Sequence, residues 1–137
     1  MNIYKVIIID DEPLAIDVIT HHLKRFSNFE VVKTFTDSVK AFNYLKEDYK
    51  VDVVFTDIAM PEISGIELVK LFKTNIKFIM TTSFSEYAVE SFDLEVIDYL
   101  LKPISFERFS KAISRFETFG NSENKNTLEP SFFVKEG

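Results

Sequence analysis

At 137 residues the chain has the size of one ordinary domain with a short remainder, and 46% hydrophobic content with fifteen phenylalanines supplies a full core. It has no cysteine, which excludes disulfides, thiol catalysis and zinc–thiolate sites and fits a reducing compartment. A net charge of −6 is the wrong sign for gripping a phosphate backbone, and Gly65, Gly120 and Gly137 are too few and too scattered for a glycine-rich phosphate cradle.

The opening MNIYKVIII is too short and too weakly basic for a signal peptide, and no apolar run approaches bilayer length. The expectation is a cytoplasmic protein without membrane insertion. Residues 3–9 predict the first strand. Pro13 then suits a first helical turn, and Leu14, Val18, Ile19, Leu23 and Phe26 form one helical face. Residues 29–35 predict a second strand, and Val39, Phe42 and Leu45 a second helix. Residues 51–56, VDVVFT, predict a third strand that runs into Asp57. Ser64 with Glu67 makes a capping box for a third helix faced by Ile66, Val69 and Phe72. Residues 76–81 predict the fourth strand, and Tyr87, Val89 and Phe92 a short fourth helix. Residues 96–101 predict the fifth strand; Ser105 caps a last helix carrying Phe106, Phe109, Ile113 and Phe116.

Five β-α units in strict alternation imply an α/β fold: a doubly wound, five-stranded parallel sheet with five helices, flavodoxin- or receiver-like, in strand order 2-1-3-4-5. Runs such as VIII and VDVVF are apolar throughout because central parallel strands are covered on both faces. After Phe119, residues 120–130 are polar and aperiodic, which reads as a linker. Residues 131–137, SFFVKEG, read as the first strand of a further unit that is cut short.

The strand ends carry the chemistry. The first finishes in Asp10-Asp11-Glu12, the third in Asp57, the fourth in Thr81-Thr82-Ser83 and the fifth in Lys102-Pro103; only the second, at the sheet edge, brings nothing of this kind. In this architecture all those ends lie on one rim. Clustered carboxylates repel one another unless a cation or proton intervenes, and oxygen ligands suit Mg²⁺ better than zinc or copper. Asp57 is then a carboxylate nucleophile for a phosphoryl group, with Lys102 and a threonine of the Thr81–Thr82 pair facing the other phosphoryl oxygens. Each residue alone has a plain structural reading. The acidic pair serves as a helix cap, Asp57 as an Asx turn, the threonines as β-formers and Lys102 as a solvated surface residue. Their joint placement on one rim is what argues for chemistry. His21 and His22 read as helix-surface residues.

IIIDDEP, VFTDIAMPEISGIELV, FIMTTS and DYLLKP resemble the receiver domain of bacterial two-component response regulators, from the first strand to Phe119. The resemblance implies Asp57 as phosphoacceptor and a Mg²⁺ site of Asp10, Asp11, Asp57 and the Ala59 backbone carbonyl. It implies Thr82 as switch hydroxyl, Tyr99 as switch aromatic, Lys102 as phosphate-binding lysine and a cis peptide at Lys102–Pro103. Ala59, where many relatives carry a polar side chain, removes a side chain from the site mouth, which is expected to change how fast water removes the phosphoryl group. FSEYAVESFDLEVIDYLLKPI and SFFVKEG further resemble the LytTR-type (LytR/AlgR-like) transcription regulators. The implied layout is a receiver at 1–119, a linker at 120–130 and the truncated start of a LytTR-like DNA-binding domain at 131–137. A sensor histidine kinase is the implied phosphodonor. The phosphorylated form is expected to pair as a homodimer through the fourth helix, fifth strand and fifth helix, with Tyr87 and Phe92 either contributing there or packing inward. DNA is reached only through the missing C-terminal domain.

On this reading the protein is a switch that catalyses only its own phosphorylation and dephosphorylation. A phosphatase resembling the haloacid dehalogenases would need an aspartate at position 59, which is alanine. A flavodoxin-like redox module is disfavoured because the anionic DDEP loop repels a cofactor phosphate. A protein-binding pseudo-receiver would not need every chemical position filled.

Overall fold

A computed structural model of the chain describes residues 2–47, 49–84 and 94–120. Five parallel strands, β1 (Tyr4–Ile9), β2 (Phe29–Phe35), β3 (Val53–Asp57), β4 (Lys77–Thr82) and β5 (Asp98–Leu101), form one sheet in the order β2-β1-β3-β4-β5. The helices are α1 (Pro13–Leu23), α2 (Ser38–Leu45), α3 (Gly65–Phe72) and α4 (Phe106–Arg115), the last continuing into a π-helical turn, Phe116–Gly120. The described residues therefore hold four α-helices rather than five. The predicted helix around Tyr87, Val89 and Phe92 lies outside them, as do residues 121–137 with most of the predicted linker and the predicted LytTR-like strand.

Two-residue alternation divides the apolar strands between two cores. Val6 and Ile8 face one side with Phe55, Ile79 and Leu100, covered by Ile16, Ile19 and Leu23 of α1 and by Phe109, Ala112 and Ile113 of α4. Ile7 and Ile9 face the other with Val54, Phe78 and Met80, covered by Ala41 and Leu45 of α2 and by Leu68 and Val69 of α3. Phe55 and Phe109 stack at the centre of the first core, ring centroids 5.4 Å apart.

Helix punctuation follows the sequence. Pro13 sits in the first turn of α1, Ser64 and Glu67 form the capping box of α3, and Ser105 Oγ accepts the Arg108 N–H to cap α4. The predicted face of α1 needs correcting. Leu14 is 78% exposed and Val18 42%, whereas Ile16 turns inward with Ile19 and Leu23. Two apolar stripes overlap on this helix, and packing on the sheet selects one of them. The other lines an open, mainly apolar groove with His21, His22, Pro103 and Ile104, running up to Glu12 and Lys102.

His22 also departs from expectation. It is half-buried, and its Nε2 lies 2.8 Å from the Ile104 carbonyl, pinning α1 to the segment that follows Lys102-Pro103. At the far edge, buried Asp98 accepts N–H bonds from Nη1 and Nη2 of Arg108 (2.9 and 2.8 Å) and from Nη1 of Arg115 (3.2 Å). Arg108 also donates to the Tyr99 carbonyl at 3.2 Å, so α4 is tied to β5 beside that residue. No helix among the described residues is long and apolar enough to cross a membrane.

Candidate functional site: an acidic pocket at the sheet rim

The sheet order reverses direction between β1 and β3, and the loops leaving these two strands part to opposite faces. Asp10, one residue past β1, and Asp57, the last residue of β3, flank that crevice. Asp10 is fully buried and Asp57 nearly so, while Asp11 is exposed. Asp10 accepts the Glu12 N–H at 3.0 Å, which fixes the turn into α1. One carboxylate oxygen from each of Asp10, Asp11 and Asp57 lies within 4.8 Å of the others. Three hard oxygen donors with no nitrogen or sulfur ligand fit a cation such as Mg²⁺.

Lys102 enters from the end of β5. Its Nζ is 2.7 Å from Asp10 Oδ2 and 3.5 Å from Asp57 Oδ2, with Glu12 Oε1 at 4.0 Å. Burial works against the ammonium, but the hydrogen bond to Asp10 and the nearby charges outweigh it and hold its pKa above the ordinary value. The peptide bond to Pro103 is cis.

Burial first, then the charge of Asp10, pushes the Asp57 carboxyl from an ordinary 3.8 up to about 6, against the opposing pull of Lys102. A raised folded-state value means that stability from this group is complete below about pH 4 and is lost as pH rises through 6. In metal-free protein that loss is on the order of 2–3 kcal/mol, at 1.36 kcal/mol per unit. Urea denaturation across pH 4 to 7 in EDTA should show it, and Asp57→Asn should flatten the slope. An unchanged slope in the variant would contradict this account of the pocket.

Backbone geometry sets Asp57 in place. The Ile58 N–H donates to the Thr81 carbonyl at 2.9 Å, and the Gly65 N–H closes the following loop on the Ile58 carbonyl at 2.8 Å. A Cβ on Gly65 would stand 2.2 Å from the Asp57 carbonyl oxygen, so the start of α3 approaches the site only because that residue is glycine. Ala59 lies exposed on this loop, two residues past Asp57.

The two threonines occupy different faces. Thr81 pairs in register with Asp57 and follows Ile79 by two, on the α1–α4 side; its buried Oγ1 has no hydrogen-bond partner among the described residues. Thr82 follows Met80 by two, on the α2–α3 side, where Tyr99 packs against the same cluster. Its Oγ1 accepts the Phe84 N–H at 3.0 Å. Thr82 and Tyr99 therefore share a face of the sheet.

Ser38 was not among the expected residues. The first turn of α2 buries it, and its Oγ donates to the Pro61 carbonyl (2.7 Å) and accepts from the Ile63 N–H (3.2 Å). The segment after the edge strand thus reaches the loop beyond Asp57 after all. Nothing in the sequence marks this residue, because Asp37 beside it already supplies the helix cap.

Residues 6–114 match the family model of the response regulator receiver domain. The chain belongs to that family. This receiver domain is 37% identical over 126 residues to the transcriptional regulatory protein BtsR of Escherichia coli K12, an alignment covering 90% of this chain and 52% of the relative. It therefore spans about half the length of the curated relatives it matches. Among solved structures, the response regulatory domain of mrkE from Klebsiella pneumoniae superposes with a TM-score of 0.78 at 31% identity, covering 87% of this chain and 99% of that one. The isolated receiver of RcsB from Salmonella enterica serovar Typhimurium, solved with the phosphomimetic BeF₃⁻, gives 0.76 at 30% identity over 86% and 91% of the two chains. RcsB is also described as dimers bound to DNA.

Proposed function

We infer that this receiver domain accepts a phosphoryl group on Asp57 from a phosphohistidine of a sensor kinase and relays the event to a transcriptional output. The observation that carries the reading is the pocket itself: a nearly buried carboxylate with pKa near 6, flanked by two further acids and within 3.5 Å of an ammonium. An Asp57 carboxylate oxygen attacks phosphorus in line. As the O–P bond forms, the P–N bond to the donor imidazole breaks; the ring nitrogen keeps the bonding pair and takes up a proton from solvent. The product is an acyl phosphate. Mg²⁺ held by Asp10, Asp11, Asp57 and the Ala59 carbonyl would neutralise the acids and hold a phosphoryl oxygen near Asp57.

Lys102 sits between Asp10 and Asp57, so its ammonium offsets charge on a second phosphoryl oxygen without a large movement. The Thr82 hydroxyl turns toward a third, giving up its bond to the Phe84 amide, and Tyr99 on the same face follows into the space vacated. That rearrangement reaches β5 and α4, where Arg108, held in place by buried Asp98, and half-exposed Leu101 form a surface for pairing with a second copy. The apolar groove along Leu14 and Val18 opens beside Glu12 and Lys102, which suits it to seat the donor domain. Relatives named as transcriptional regulators and nearly twice as long support a DNA-binding output, which we assign to the LytTR type.

Incubation with acetyl phosphate and Mg²⁺ should add one phosphoryl group per chain by intact mass, and EDTA should prevent it. Phosphate release from generic esters far beyond one equivalent would instead favour a hydrolytic enzyme.

A further inference from the structure

We propose that Ser38 is a positioning residue for the divalent-cation site: its hydroxyl sets the height of the loop after Asp57, and with it the Ala59 carbonyl. The proposal rests on the metal reading given above and adds a residue from a different element of the fold.

The loop between Asp57 and α3 needs an external brace. It is held at its two ends by backbone bonds, Ile58 N–H to the Thr81 carbonyl and Gly65 N–H to the Ile58 carbonyl. Between them it makes a tight turn in which the Ile63 N–H reaches the Pro61 carbonyl at 2.8 Å, with Glu62 in the left-handed region at φ 71°. A non-glycine residue held there is strained and persists only where its surroundings fix it. Among the described residues, Ser38 supplies the only side-chain hydrogen bonds to residues 59–63.

Those two bonds use both capacities of one hydroxyl. The Oγ–H donates to the Pro61 carbonyl and the oxygen accepts from the Ile63 amide, so the turn is gripped on both sides of Glu62. Ser38 is 4% exposed, and water cannot readily replace it. Alanine would leave the loop with its end anchors alone. Ala59 offers no polar side chain, so whatever it contributes to a cation comes through its backbone and depends on where the loop sits. The acids Asp10 and Asp11 hang from β1 and do not share this dependence.

The test is Mg²⁺ binding, measured by calorimetric titration of the purified chain with Mg²⁺ alone. Ser38→Ala should weaken binding about three- to tenfold, the scale of one or two lost hydrogen bonds. Asp37→Ala is the control, because Asp37 Oδ1 caps the same helix through the Val39 and Lys40 amides without touching the loop. It should lower the melting temperature comparably yet bind Mg²⁺ within about twofold of wild type, a difference well below one pair of hydrogen bonds. Ser38→Cys puts a slightly larger, weakly hydrogen-bonding thiol in place of the hydroxyl and should fall between wild type and Ser38→Ala. Equal affinities in wild type and Ser38→Ala, or equal losses in Ser38→Ala and Asp37→Ala, would overturn the assignment. Wild-type protein that binds no Mg²⁺ would overturn the metal reading itself and this proposal with it.

Discussion

Asp57→Asn is expected to abolish phosphoryl transfer while making the metal-free protein more stable at neutral pH. The amide has no anionic oxygen to attack phosphorus, so acetyl phosphate with Mg²⁺ should leave the intact mass unchanged. The stability gain has a separate origin. Burial and the charge of Asp10 push the wild-type carboxyl to about 6, so above that pH the native state carries a charge that its surroundings oppose. A neutral amide of the same shape removes the opposition, at the cost of a 3.5 Å contact with Lys102 that already has Asp10 at 2.7 Å. Thermal melts in EDTA at pH 7.5 should place the variant several degrees above wild type. A variant that melts lower, or that still gains one phosphoryl group, would contradict the role assigned to this carboxylate.

Gly65→Ala is expected to be among the most damaging single substitutions in the domain. The new Cβ would stand 2.2 Å from the Asp57 carbonyl oxygen and 3.0 Å from the Ile58 Cα, both backbone atoms in the sheet-to-loop junction. Neither can swing aside as a side chain would. Either α3 withdraws, breaking the Gly65 N–H bond to the Ile58 carbonyl, or the end of β3 shifts and carries Asp57 with it. Overpacking of this severity costs about 3 kcal/mol or more. Urea denaturation measures that loss directly, and phosphorylation of whatever folded fraction remains should be slowed because the acceptor has moved. Wild-type stability and rate together would show that the close approach is dispensable.

The lone glycine also shows where sequence reading stops. EISGIELV announces a helix start through Ser64 and Glu67, and the capping box forms as expected. Why the first helical residue is glycine becomes visible only with the Asp57 carbonyl beside it. The strands were legible because β-branched runs such as VIII must be covered on both faces, and the two cores divide that run in strict alternation. Asp10, Asp57 and Lys102 were legible for a related reason: parallel order delivers every strand end to one rim, so position in the chain becomes position in the site.

Helix faces were less legible. On α1 the spacings of Leu14 with Val18 and of Ile16 with Ile19 and Leu23 are both helical, and only contact with the sheet decides between them. The bond from His22 to the Ile104 carbonyl and the bonds from Ser38 to the loop at Pro61 and Ile63 span long stretches of chain, and neither follows a local pattern. The Thr81–Thr82 choice lay between these extremes. Alternation from Met80 puts Thr82 on the same face as Tyr99, a relation that requires the β4–β5 register to be known.

The most direct measurement is the melting temperature of the purified chain as Mg²⁺ is added, with and without beryllofluoride. Because Lys102 only partly offsets the repulsion of Asp57 by Asp10 and Asp11, Mg²⁺ should raise the melting temperature, and beryllofluoride should raise it further only when Mg²⁺ is present. A melting temperature that stays fixed through both titrations would contradict the account.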